Sequence, residues 1–299
     1  HPGAVLSIFQ ISEGEQVVGF LPFFQVSDQS KRVFKLIGTT EVTDYVDVLA
    51  LPEYYPFVAE ALVELLRDPV HDTQLDLQCL LPSAALLHIV KLLPLEIDTV
   101  QRTQTVNPCI SLPTTWDEYL SLVPHTHLKH YRHLLTKIGE DDDISYRCLT
   151  TATEISPEIE TFITLHKQSG SEKATFWSPG REAFFREMSI EMAQRGKVKL
   201  YFLDVNEDPA ATLLVFDHWN EFQLYNSGFN AYRYGYLGVG NALILHTIQV
   251  AISQGKRGYN FLRGDEAYKF TFGAVASQVL ALTASTNNLH TLQLVNYTF

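Results

Sequence analysis

Residues 198–270 constrain the chain most. Three aliphatic runs, 198–205, 210–219 and 221–228, are separated only by short turns at Asn206-Glu207-Asp208 and at 218–220. Turns that short join antiparallel neighbours, so the runs are predicted to form a meander. The stretch Gly235-Tyr236-Leu237-Gly238-Val239-Gly240-Asn241 follows and opens a helix that stops at Gly255. Residues 259–262 then read as a short buried strand, Gly264 as a turn, and 265–270 as a polar, aromatic segment. A glycine-containing loop that feeds a helix leaves several backbone N–H groups unpaired at the positive end of the helix dipole. That is a place for a phosphate-bearing ligand.

The rest of the chain supplies more of the same mixed pattern. Residues 4–11 and 16–26 read as a hairpin about Glu13-Gly14, 32–37 as a third strand, and 46–51 as a fourth. Residues 53–66 carry Val58, Ala61, Leu62, Leu65 and Leu66 on one helical face. A strand over 74–80, a helix capped by Ser83, and a strand over 95–101 complete a first α/β domain, 1–112. Its glycine turn, Gly38-Thr39-Thr40-Glu41, is short and acidic, so no cofactor is expected there. Asn107-Pro108 and Leu112-Pro113 mark the boundary to a second domain, 113–299.

That domain starts with a capping box at Thr115-Trp116-Asp117-Glu118. A helix broken at Pro124 resumes with Leu128, Tyr131, Leu135 and Ile138 as its buried stripe. A strand is expected over 144–149, helices starting at Ser156-Pro157 and Ser178-Pro179, and closing strands over 275–284 and 291–298. His125, His127, His130 and His133 crowd one helix with Lys129, Arg132 and Lys137. A metal site, a solvated face and a basic strip for an anionic substrate all fit that pattern. No acidic or cysteine ligand is matched to the histidines, so no metal site is assigned.

Composition narrows the class. The content is 46% hydrophobic and 12% aromatic, which is globular, and the formal charge of −12 disfavours a broad nucleic-acid surface. No apolar run reaches the roughly 18 residues of a transmembrane helix. Cys79, Cys109 and Cys148 are far apart and odd in number, which suits a reducing cytoplasm. No feature specifies an oligomer.

The string Phe261-Leu262-Arg263-Gly264-Asp265-Glu266-Ala267-Tyr268-Lys269, with the glycine loop and helix before it, resembles the BioF2-like, CelD-type acetyltransferases of the GNAT superfamily. The likeness runs from about Thr114 to Ala274. The related FemABX peptidyl transferases carry two GNAT-like domains in one chain. The resemblance therefore implies two tandem GNAT-like α/β (α+β, mixed-sheet) domains, the first shortened at its N-terminus. It implies acetyl-CoA or another acyl-CoA as co-substrate and a small-molecule, glycan or peptide amine as acceptor. CelD-type names link the group to exopolysaccharide, cellulose or cell-envelope synthesis.

In GNAT folds the strand before the loop and the strand after its helix splay apart around the pantetheine arm. Here those are 222–228 and 259–262. The resemblance places the cofactor on Tyr225, Asn226, Ser227, Leu237, Gly238, Val239, Gly240 and Asn241. The loop departs from the usual pattern: Gly235 stands where Gln or Arg is common. Tyr268 is the candidate acid for the leaving thiolate, or else a core aromatic. Asp265 or Glu266 is the candidate base for the amine, or else a helix cap. Trp177, Arg263 and Lys269 are candidates for the acceptor side, and Arg263 could instead pair with Asp265 or Glu266. Two other functions compete: FemABX-like transfer from aminoacyl-tRNA, and a two-domain binding protein without catalysis.

Overall fold

The computed structural model of the protein describes residues 3–28, 31–38 and 42–286. The expected strand at 291–298 and residues 39–41 of the Gly38 loop lie outside the described residues. In chain order the elements are β1 (Val5–Glu13), β2 (Gln16–Asp28), β3 (Lys31–Leu36), β4 (Leu49–Ala50), α1 (Tyr55–Leu66), β5 (Asp72–Leu80), α2 (Ala85–Ile89), β6 (Ile97–Ser111), α3 (Trp116–Leu122) and α4 (His125–Gly139). They continue as β7 (Ile144–Leu149), α5 (Ala152–Gln168), α6 (Ser171–Phe176), α7 (Pro179–Gln194), β8 (Val198–Val205), β9 (Asp208–His218), β10 (Glu221–Phe229), α8 (Ala231–Tyr234), α9 (Val239–Ser253), β11 (Gly258–Asn260), α10 (Ala267–Thr271) and β12 (Val275–Thr286). The described residues form two compact units, those up to 106 with 278–286, and 107–277.

In the first unit the strands follow the order β1-β2-β3-β5-β12, with β4 against β2. Only β3 and β5 run parallel; the other pairs are antiparallel. Phe23, Phe34, Leu62, Leu75, Leu77 and Leu86 are buried between this sheet and its helices. The expected strand over 46–51 shrinks to two residues. Ser83 does not cap α2. The Asp47 carboxylate does so from a distant loop, accepting the N–H groups of Ala85 (2.6 Å) and Leu86 (3.1 Å). Nothing local in the sequence marks that cap.

In the second unit the order is β6-β11-β10-β9-β8-β7, counting β6 from Asn107 onward. The meander β8-β9-β10 is antiparallel as predicted, and β10 pairs in parallel with β11. One face packs on α3, α4 and α9 through residues such as Tyr131, Phe222, Leu243 and Phe272. The other packs on α5 and α7 through Phe162, Phe185 and Phe202. The Thr115–Glu118 capping box forms in full. A second box, Thr151 with Glu154, starts α5 before the expected Ser156-Pro157, so Pro157 sits inside the helix. Reciprocal capping satisfies two end N–H groups, which outweighs the single bond that the proline gives up. Asn107-Pro108 lies within β6, at the point where the two units divide, and α6 carries no sequence signal.

Helix α5 lies so close to β10 that a Cβ on Gly228 would stand 2.5 Å from the backbone nitrogen of His166. Gly228 is required there by contact rather than by conformation. Gly228→Ala is expected to cost about 1–3 kcal/mol in chemical denaturation, because backbone must move to admit the methyl group. Gly235→Ala, which meets nothing within 4 Å, is the control, expected within about 0.5 kcal/mol of the parent.

Candidate active site

The site is a split in the sheet, and two local events open it. Strands β10 and β11 pair only over Glu221–Gln223 and Gly258–Asn260. On β10 the register against β9 shifts at Tyr225, a bulge that re-aims the strand. On β11 the Asn260 side chain accepts the N–H of Leu262 at 2.8 Å, and Leu262 adopts a left-handed backbone with φ of 58°. A side chain that captures the second N–H after itself turns the chain out of the ladder. The predicted strand over 259–262 therefore stops at Asn260.

Beyond Gln223 the edge of β10 that faces away from β9 has no strand beside it among the described residues. At its far end Phe229 directs both backbone groups that way: its N–H goes to Ser169 Oγ (2.8 Å), and its C=O accepts from the same hydroxyl (3.3 Å). Backbone orientation repeats every second residue, so Ser227 presents its N–H and C=O to the split as well. The Ser227 carbonyl accepts from Lys173 Nζ, which also lies 3.3 Å from Ser227 Oγ.

The start of α9 lies beside this edge. A Cβ on Gly240 would stand 3.4 Å from the Phe229 ring, and one on Gly238 would stand 3.2 Å from Leu134 of α4. Gly238 is the N-cap with φ of 69°, a left-handed conformation that glycine adopts without strain. No side chain caps α9, which leaves its first N–H groups directed outward. The structure thus brings the two parts of the expected cofactor set together, Tyr225, Asn226 and Ser227 on the strand and Leu237, Gly238, Val239, Gly240 and Asn241 on the loop.

Around the split lie side chains that titrate abnormally. Burial, followed by the Glu266 charge, pushes the Tyr268 phenol up to about 12, while a hydrogen bond with the Ser227 side chain pulls it down. Burial dominates this shift even though 38% of Tyr268 as a whole is exposed. Burial lowers Lys173, against the opposing attraction of Glu266. Sequence reasoning gave Lys173 no role; a lone lysine in a short unmarked helix carries no signal. His166 lies on the buried face of α5. Trp177 Nε1 donates to its Nδ1 at 3.1 Å, so Nε2 carries the proton and donates to Asn226 Oδ1 at 3.2 Å. Burial first, then the Lys173 charge, pushes His166 down to about 4. Trp177 also packs on Phe162 and Phe185, so it joins the core to the strand through that histidine.

The other candidates sit on the turn between β11 and α10. Asp265 and Glu266 are exposed, and Arg263 is half-buried. Glu266 occupies the N-cap position of α10 without a side-chain capping bond. Lys269 is buried and turned inward: its Nζ reaches the carbonyls of Leu262 (3.5 Å), Arg263 (3.0 Å) and Gly264 (3.4 Å) and pairs with Glu266 at 2.8 Å. It staples the turn that presents Arg263, Asp265 and Glu266. The side chains of the α4 cations and of all four of its histidines are exposed or half-exposed. Among the described residues no group of three His, Cys, Asp or Glu could hold a metal ion. Among them, too, no single helix is long and apolar enough to cross a membrane.

Residues 126–270 match the model of the acetyltransferase (GNAT) domain. The second unit is a GNAT-type acyltransferase domain. Over the whole chain the fold is similar to that of solved structures at low identity. FemX matches with a TM-score of 0.63 at 10% identity, covering 98% of this chain and 91% of its own. The C-terminal domain (DUF2156) of a putative lysylphosphatidylglycerol synthetase from Agrobacterium fabrum matches at 0.59 and 10% identity, covering 94% and 84%. L-PGS from Bacillus licheniformis matches at 0.57 and 10% identity, with the same coverage. No curated protein sequence matches the chain. The mixed α/β fold and the GNAT-type identity therefore agree with the sequence reading.

The buried histidine of this GNAT-type domain gives a pH signature. Its folded pKa of about 4 lies below the ordinary value of 6.5, so the unfolded chain binds the proton more readily. Stability from this group is complete above about 6.5 and is lost as pH falls toward about 4. In urea titrations across that window, His166→Gln is expected to flatten the dependence. An unchanged slope would mean that His166 titrates normally.

Proposed function

We propose that the protein is an N-acyltransferase that moves an acyl group from acyl-CoA, acetyl-CoA in the first instance, to a primary amine. One observation carries this reading: the free edge of β10, with the Ser227 N–H turned into the split, ends beside the uncapped start of α9. A pantetheine arm laid along that edge finds backbone partners, and its pyrophosphate meets the N–H groups of residues 238–241 at the positive end of the helix. The thioester carbonyl then lies against the Ser227 N–H, which donates to the oxyanion as the carbonyl carbon becomes tetrahedral. Tyr268 is protonated at neutral pH and supplies the proton that the leaving thiolate takes. Glu266 or Asp265 accepts the proton that the amine must lose. Arg263 faces the acceptor, while Lys269 and Trp177 hold the turn and the strand that frame it. The acceptor class that suits exposed carboxylates beside an arginine is an amine on a sugar, amino acid or envelope intermediate.

A second reading is aminoacyl transfer from tRNA. It is favoured by the fold likeness to FemX and by α4, which carries Lys129, Arg132, Lys137 and four histidines with no acidic residue. Binding on that helix would weaken steeply with salt.

Thermal melting with and without acetyl-CoA separates the two. Ligand at about 100 times its dissociation constant adds about 2.7 kcal/mol to the folded state. For a unit of this size that is a rise of about 5–10 °C. Adenosine diphosphate should give a smaller rise. No rise with any acyl-CoA, together with a salt-sensitive tRNA complex, would favour the second reading.

A further inference from the structure

The first unit carries a hollow that acyl transfer in the second does not use. On β3 and β5, Phe34, Leu75 and Leu77 are buried toward the helices. The alternate residues, Lys35, Gln74, Asp76 and Gln78, therefore stand on the opposite face of the sheet. There they border a hollow of about 550 Å³, which is also lined by Arg102 of β6 and Thr283 of β12. That volume is in the range of small-molecule sites. A sheet of this kind commonly leaves one face to water, but a solvated face needs neither a concavity nor fixed side chains.

The lining is fixed by a relay of side chains. Cys79 has a left-handed backbone with φ of 61°, and the register of β5 against β12 shifts beside it. Its N–H is taken by Gln104 Oε1 at 2.8 Å. Gln104 Nε2 in turn donates to Gln78 Oε1 at 3.3 Å, which turns the Gln78 nitrogen toward Asp76. Gln78 Nε2 lies 3.2 Å from both Asp76 oxygens, and Lys35 Nζ pairs with Asp76 Oδ2 at 2.8 Å. Asp76 is thereby matched by Lys35. Arg102 remains as a cation with no ion-pair or hydrogen-bond partner among the described residues.

The capacity left over is rich in donors. Arg102 offers a planar fork of N–H groups that suits a carboxylate or a phosphate, and Lys35 keeps N–H groups that Asp76 does not occupy. Gln74 and Thr283 add an amide and a hydroxyl, and Val26 and Val33 form an apolar wall. Strands β3 and β5 have a neighbour on each side, so their backbone is taken up and an extended peptide finds no edge to join. The hollow reads its ligand through side chains alone, which suits a hydroxylated small molecule with one anionic group.

We propose that this hollow is a ligand site for an anionic sugar. Its carboxylate or phosphate pairs with Arg102 and Lys35, its hydroxyls bond with Gln74, Gln78 and Thr283, and the apolar face of its ring lies on Val26 and Val33. The proposal is independent of the acyl-CoA reading, because no residue of the split takes part.

The test uses the full chain in low-salt buffer, with calorimetry and saturation-transfer NMR. The probes are glucuronate, glucose 6-phosphate and neutral glucose, with acetate and inorganic phosphate as bare anions. One-to-one binding of glucuronate or glucose 6-phosphate is expected, about tenfold or more tighter than glucose and than the matching bare anion. Which of the two binds distinguishes a carboxylate ligand from a phosphate one. Arg102→Ala, at an exposed position, should melt as the parent does and weaken binding by about 10- to 100-fold. Gln74→Leu should weaken it by about 2- to 10-fold. Saturating acetyl-CoA should leave the affinity unchanged. No binding of either sugar anion, equal binding of glucose or of a bare anion, displacement by acetyl-CoA, or full affinity in Arg102→Ala would overturn the proposal.

Discussion

The divergence of two strands organises the second unit. A sheet closes its own backbone hydrogen bonds, and an unclaimed strand edge in the interior is costly. Here β10 and β11 begin as ordinary neighbours and part after Gln223 and Asn260. The cost is met locally: Ser169 serves Phe229, Lys173 serves the Ser227 carbonyl, and the Asn260 side chain serves Leu262. What remains, chiefly the Ser227 N–H, is directed into the opening. The packing of α5 onto Gly228 and of α9 onto Phe229 then fixes the width of that opening from two sides.

The chemistry of the site follows from its dryness. Tyr268 keeps its proton, Lys173 is inclined to give one up, and His166 stays neutral, each chiefly because burial opposes its charged form. Glu266 is the exposed counterweight. It raises Tyr268, pairs with Lys269 and attracts Lys173, so one carboxylate at the mouth influences three interior groups. A group placed that way can relay a proton between solvent and the split.

Much of this frame was legible in the sequence because it rests on local rules. The meander showed in its aliphatic runs and short turns, the Gly238 loop in its glycines, and the α3 start in its capping box. The failures share a cause. Asp47 caps a helix 38 positions away, and Asn260 ends its own strand by a side-chain bond that alternation does not reveal. Lys173 and His166 reach β10 through partners 54 and 60 residues distant, contacts that no periodicity encodes. Lys269 stood out in the sequence only as a candidate for the acceptor side, and its inward turn onto three carbonyls required the geometry of Gly264 and Leu262.

Hydrogen–deuterium exchange of backbone amides, with and without acetyl-CoA, tests the central claim most directly. If the split holds the acyl donor, slowed exchange should concentrate at residues 225–229 and 238–241, with little change on β8 and β9. Acetyl-CoA that binds while leaving both segments unprotected would contradict the account.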